Sequence, residues 1–152
     1  MASERTLILV KPDGVQRGLV GPIITRLEQT GLKIIGLKIV QITDEMAAEH
    51  YAEHSERPFY AGLVDFITSG PVVAMAVSGP NAVAHVRRLM GATNPQDAAP
   101  GTIRGDLATD IGRNVVHGSA NVEDSQRELP IFFAESEIIS YHRANGPWII
   151  EP

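Results

Sequence analysis

The stretch Thr6-Leu7-Ile8-Leu9-Val10 carries no charge and is closed by Lys11-Pro12-Asp13-Gly14, a turn signal. A short continuous apolar run bounded by turn residues reads as a buried strand. Such a strand needs partners, elements elsewhere in the chain that can pack around it. Gly21-Pro22 comes next, with proline suited to the first helical position, and Ile23, Ile24 and Leu27 recur on one face until Gly31 supplies a stop. Lys33 to Ile42 is rich in isoleucine and predicts a second strand. Thr43 is a suitable N-cap, with Asp44 and Glu45 in the first turn, for a helix reaching about Glu53.

Pro58 to about Thr68 predicts another helix, stopped near Gly70-Pro71, and Val72 to Val77 a third strand. Asn81 opens a helix on which Val83, Val86 and Met90 share a face before Gly91 ends it. From Ala92 to about Arg113 periodicity is lost among Asn, Asp, Pro, Gly and Thr, so a long loop is expected. Loops beyond about 12–15 residues in a compact domain are usually functional or disordered. Asn114 to His117 predicts a short fourth strand, Asn121 a helix to about Leu129, and Glu135 to Tyr141 a small helix before the tail. This order implies an α/β (α+β) sandwich, a four-stranded antiparallel sheet covered by helices, compatible with a ferredoxin-like split βαβ arrangement. The order of strands within the sheet stays open.

The 152 residues suit one domain, 1–152. With 43% hydrophobic and 20% charged residues, the chain has globular rather than disordered composition. A formal net charge of -5 argues against nucleic acid as the main partner, since phosphate backbones are held by clustered cations. It leaves room for a small anion pocket built from a few arginines. There is no cysteine, which removes disulfide and thiolate chemistry and suits a reducing cytoplasm. The apolar stretch from Leu7 to Val10 is far too short for a signal peptide or a membrane span, so a cytoplasmic protein without a membrane partner is expected.

Chemistry concentrates in Gly112-Arg113-Asn114-Val115-Val116-His117-Gly118-Ser119. A histidine leaving an apolar strand into Gly-Ser stands where a ligand can approach the backbone. Neutral imidazole keeps a lone pair at pH 7 and can attack phosphorus without a separate base. Glu128, eleven residues on, is placed to orient the ring. The competing account is a structural histidine capped by a nearby hydroxyl. Thr102-Ile103-Arg104-Gly105-Asp106 in the long loop, Arg87-Arg88 on the preceding helix and Lys11 at the end of the first strand add cations and donors, which phosphoryl transfer requires around the migrating group.

No Walker loop, protein-kinase catalytic signature or dinucleotide fingerprint occurs. His50 and His54 stand four apart beside Glu49 and Glu53 and imitate half a metal site. Zinc needs at least three protein ligands and no third is evident, so a solvated helix face is the expectation there.

The block Asn114 to Ser119 resembles the active-site signature of nucleoside diphosphate kinases. So do Lys11-Pro12-Asp13-Gly14-Val15-Gln16-Arg17-Gly18, Arg57-Pro58-Phe59, Thr68 to Met75, Gly91-Ala92-Thr93-Asn94-Pro95 and Pro100 to Asp106. These blocks keep the family's order and spacing from about Arg5 to Glu151. The resemblance implies ping-pong transfer, in which a nucleoside triphosphate phosphorylates His117 and a diphosphate then accepts the group. It places Lys11, Arg87, Thr93 and Arg104 on phosphates, with Lys11 also near the sugar, and Asn114 on the ribose. Phe59 would stack on the base with Ile111 on its other face, and Tyr51, Ser119 and Glu128 would support the histidine. Stacking serves any base, so little preference among bases or sugars is expected.

Mg2+ is expected to arrive on the nucleotide phosphates rather than in a protein cage. One departure is Ala120, where many members carry an aspartate that helps hold the magnesium through water; another is Pro130, expected to shorten the helix bearing Glu128. The resemblance also implies a homo-oligomer, a hexamer or tetramer built from a common dimer. The loop from Asn94 to Gly112 and the tail Trp148-Ile149-Ile150-Glu151-Pro152 are expected at its contacts, since an apolar chain end calls for cover on its own domain or on a partner. Two rivals remain: a non-catalytic relative that binds nucleotide or nucleic acid, and a histidine phosphohydrolase. The second would need an Arg-His-Gly pairing, whereas Val116 precedes His117.

Overall fold

A computed structural model of the chain describes residues 3–152. Four strands, β1 (Ser3–Val10), β2 (Lys33–Val40), β3 (Val72–Pro80) and β4 (Val116–Gly118), form one sheet in the order β2-β3-β1-β4. Every neighbouring pair is antiparallel: Val10 lies opposite Val73, Val40 opposite Val72, and Leu9 opposite His117. Strands β1 and β2 are therefore parallel to one another with β3 inserted between them, the split βαβ expected from the order of elements.

Alternation along β1 and β3 sorts their side chains to two faces. Ile8, Val10, Val73, Met75 and Val77 pack beneath α2 (Val20–Gln29) and α5 (Ala82–Met90) through Ile23, Leu27, Val86 and Met90. Leu7, Leu9, Val72, Ala74 and Ala76 face the other way. There α3 (Asp44–His50), α4 (Tyr60–Ile67) and α7 (Val122–Phe132) cover them with Ala47, Ile67, Leu129 and Phe132. Because both faces are buried, β1 and β3 read as unbroken apolar runs. Two N-caps fall where the sequence puts them: Thr43 accepts from the Met46 amide and Asn121 from the Asp124 amide.

Several expectations need correction. The turn after β1 is a short helix, α1 (Pro12–Gln16), with Pro12 in its first turn, where a missing N–H goes unused. The long loop contains a helix, α6 (Ile103–Leu107), because the Thr102 hydroxyl caps the Gly105 amide. Pro130 lies inside α7 and does not shorten it: the residue is exposed, and the helix still closes with the Phe133 amide on the Leu129 carbonyl at 2.9 Å. Where a helix from Glu135 to Tyr141 is expected there is a 3-10 turn, Glu135–Glu137, and a second such turn, Gly146–Trp148, lies in the tail. No helix among the described residues is long and apolar enough to cross a membrane.

Candidate active site

The site is assembled at the β4 edge, where the backbone does something unusual. Val115 has φ 75°, a left-handed conformation rarely adopted by a β-branched residue. It is clamped there from both sides. Its amide donates to Asp13 Oδ2 at 3.0 Å, and its carbonyl accepts from the Lys11 amide at 2.9 Å. Helix α1 thus bends the chain between Asn114 and Val116 and starts β4 one residue from the kink, two residues later than the sequence suggests.

Arg104, on α6, braces the same segment. It is 4% exposed and donates to three carbonyls: Asn114 at 3.2 Å, Gly91 at 3.1 Å and Val116 at 2.7 Å. Burial, aided by the charge of Arg87, lowers its pKa to about 10. Asn114 accepts from Lys11 Nζ at 2.6 Å and donates to the Thr93 carbonyl at 3.0 Å. Arg87 donates to the Gly118 carbonyl at 3.2 Å. Burial pulls the Lys11 ammonium down to about 8, against the attraction of Asp13 and with help from Arg104 and Arg113.

His117 is half-buried, with Nε2 3.2 Å from Glu128 Oε1. The Ser119 hydroxyl donates to the same oxygen at 2.7 Å. Burial alone would raise the Glu128 carboxyl; hydrogen bonds from His117 and Ser119 outweigh it and hold the group below the usual carboxylate range. Tyr51 lies against the ring of His50, and burial, then the Glu128 charge, pushes its hydroxyl up to about 12.

These side chains open onto a cleft of about 690 Å³. Lys11, Tyr51, Arg87, Thr93, Arg104, Asn114, His117 and Glu128 all line it, as do the exposed Phe59 and Ile111, at 52% and 55% exposure. Ser119 is buried beside the cleft and reaches it only through Glu128. A groove of similar size, about 750 Å³, between Arg5 and Phe133 contains no histidine or cation cluster.

The structure also adds residues. His50, expected on a solvated helix face, is instead 4% exposed, and its ring stands edge-on to His117 with centroids 4.7 Å apart. The sequence does carry the signal: Ala47, His50 and Tyr51 fall at helical spacing on the buried face of α3. Burial and the neighbouring His117 drive the pKa of His50 down to about 3. Asp124, one helical turn before Glu128 on α7, lines the cleft as well, with no side-chain partner among the described residues. Arg127 stands between Glu53, at 3.8 Å, and Glu128 Oε2, at 3.7 Å.

An imidazole held on one nitrogen by a carboxylate, in an open cleft lined with cations, defines a histidine-centred phosphotransfer site on an α/β sandwich. Comparison with known proteins narrows this. Residues 4–138 match the nucleoside diphosphate kinase family. The chain is 59% identical over 148 residues to a nucleoside diphosphate kinase of Archaeoglobus fulgidus, covering 97% of this chain and 98% of that protein. It is 60% identical over 136 residues to one of Thermus thermophilus, covering 90% and 99%. Its structure superposes on that of a halophilic nucleoside diphosphate kinase from Halobacterium salinarum in complex with CDP, with a TM-score of 0.95 and 54% identity, covering 99% and 100% of the two chains. This chain belongs to the nucleoside diphosphate kinase family.

Proposed function

We propose that the chain is a nucleoside diphosphate kinase that moves a terminal phosphoryl group between nucleotides through a phosphohistidine on His117. The carrying observation is the divided use of one ring: Nε2 faces Glu128 at 3.2 Å, while the side chain stays partly open to a cleft containing Lys11 and Arg87. With its proton on Nε2, the imidazole presents the Nδ1 lone pair as nucleophile. It attacks the terminal phosphorus of a triphosphate; the N–P bond forms, the bridging P–O bond breaks, and the diphosphate leaves. A second diphosphate reverses the step through its own terminal oxygen. Glu128 stabilises the positive charge that develops on the ring, and Ser119 and Tyr51 hold Glu128 and its surroundings in place.

Lys11, Arg87, Thr93 and Arg104 bind phosphates in this reading, and Asn114 the ribose. Phe59 and Ile111 offer apolar faces to either side of the base, worth on the order of 1–3 kcal/mol for any base, which supports broad substrate tolerance. Magnesium carried by the nucleotide neutralises charge along the phosphates. The donor set fits that role, since Ala120 offers no oxygen but the Asp124 carboxylate faces the cleft and can meet the hydrated ion. One domain, 1–152, acting in the cytoplasm as a homo-oligomer completes the proposal. Exposed Leu37 and Ile39 on β2 and Trp148 in the tail support self-association.

Radiolabelled ATP without acceptor should leave an acid-labile phosphate on the protein. His117→Asn should abolish the label and lower transfer by at least about 10⁴-fold, the scale on which loss of a nucleophile acts. Label persisting on that variant would move the nucleophile elsewhere.

A further inference from the structure

Beneath the cleft, three ligand atoms converge from three elements. His50 on α3, His117 on β4 and Glu128 on α7 each bring one nitrogen or oxygen within 4.8 Å of the other two. His117 Nε2 is 3.2 Å from Glu128 Oε1, close to the tetrahedral edge of about 3.3 Å that zinc–nitrogen and zinc–oxygen bonds of about 2.0–2.2 Å require. His50 Nδ1 is 3.8 Å from Glu128 Oε2, a gap that a small ring movement closes.

His50 carries the independent observation. Its side chain is 2% exposed, and Nδ1 is buried with no hydrogen-bond partner among the described residues. Buried polar atoms are nearly always satisfied, so one that is not asks for a reason. The phosphotransfer scheme above does not use this nitrogen. Two imidazoles and one carboxylate, with a fourth direction reachable from the cleft, are the donor set of an open zinc site. They do not suit magnesium, which selects oxygen ligands and keeps its water.

We propose that His50, His117 and Glu128 form a site for a zinc-class dication that inhibits the protein by taking hold of its nucleophile. The metal bonds to His50 Nδ1, His117 Nε2 and Glu128; the ring proton of His117 leaves Nε2 and, by exchange with water, takes Nδ1, so the ligand stays a neutral imidazole, and water or a cleft anion takes the fourth position. With Nδ1 protonated the metallated ring has no free lone pair to offer phosphorus, and Glu128 no longer supports it as an acceptor. Zinc therefore slows phosphorylation of His117 without occupying the phosphate subsites. Metal binding is read without turnover, so it stands or falls separately from the kinase assignment.

The test is calorimetric titration of zinc chloride into the chelator-treated, nucleotide-free full chain near pH 7. One zinc per chain is expected, weakened at least about tenfold in His50→Gln, as disturbing a metal shell commonly does. Cobalt in place of zinc should give the intense visible bands of four-coordinate geometry, lost in the same variant. If His50→Gln does not fold, nitrogen NMR of the wild-type histidines decides: one equivalent of zinc should shift Nδ1 of one ring and Nε2 of another. Failure to bind, six-coordinate cobalt, equal affinity in His50→Gln, or shifts confined to other histidines would each overturn the site.

Discussion

The two edges of the sheet are built by opposite means. At one edge, β2 runs eight residues in regular pairing with β3, broken by one irregularity between Ile34 and Gly36, and turns Leu37 and Ile39 to solvent, the latter 75% exposed. At the other, β4 has only three residues, yet buried Arg104, Asn114, Ser119 and Glu128 cluster around it. A long strand holds itself by its ladder and can leave apolar side chains over for another surface. A three-residue strand cannot, so side chains from distant segments hold its backbone by bonding to it. Regular structure marks the edge that leaves apolar side chains exposed, and cross-bracing marks the edge that carries His117.

That contrast sets the scale of what mutations should do. Arg104→Ala should have the largest effect on stability, roughly 3–5 kcal/mol, because three carbonyls lose their donor at once and buried acceptors are expensive to leave unpaired. Denaturant unfolding measures it. Arg104→Lys should recover only part, since one ammonium cannot span three acceptors as the guanidinium does. A loss below about 1 kcal/mol in Arg104→Ala would mean that the β4 edge does not depend on its braces.

Glu128→Gln should lower kcat by about 10²-fold with little change in KM, since the carboxylate acts on the ring rather than on substrate. It should also alter acid stability. The folded carboxyl lies below its unfolded value, so its contribution is present above the ordinary carboxylate pKa and is lost as pH falls through the folded one. The variant should lack that part of the acid-induced loss. A KM effect larger than the kcat effect would relocate Glu128 to substrate binding.

Lys11 predicts a milder response. Its charged form prevails below about pH 8, so kcat/KM for the triphosphate should fall as pH rises past that value, by at most about tenfold per unit. Lys11→Arg should carry the decline to higher pH. A decline that ignores this substitution would assign it to another group. The smallest effect on folding belongs to the other edge: Ile39→Lys should change monomer stability by less than about 0.5 kcal/mol while reducing the mass seen in sedimentation. An unchanged mass would free β2 of any part in assembly.

Much of the fold is legible in the sequence because burial leaves a pattern. The apolar runs of β1 and β3, the spacing of Val83, Val86 and Met90, and the caps Thr43 and Asn121 are local signals, and each element lies where they point. Helix α6 escapes such a reading because five residues are too few to show a period, and the shortened end after Glu135 because a distant strand takes its hydrogen bonds: the Ile139 amide donates to the Ile35 carbonyl at 2.9 Å and the Tyr141 hydroxyl to the Ile34 carbonyl. The block from Asn114 to Ser119 is legible as a reactive segment, with its histidine followed by Gly-Ser. Its conformation is not, because the left-handed turn at Val115 depends on Asp13, 102 positions away.

His50 shows the division most clearly. The sequence offers two histidines one turn apart and no third ligand within reach along the chain. Folding carries His117 and Glu128 to the same point from β4 and α7 and puts the His50 ring edge-on to that of His117. The order of residues by itself determines features that are periodic and near: strands, helices, caps, and the presence of an imidazole among cations. The clamp on Val115, the three-way brace of Arg104 and the company of His50 arise from meetings between segments far apart in the chain. Packing of the two apolar faces around one sheet brings those segments together, and a short-range pattern cannot specify that.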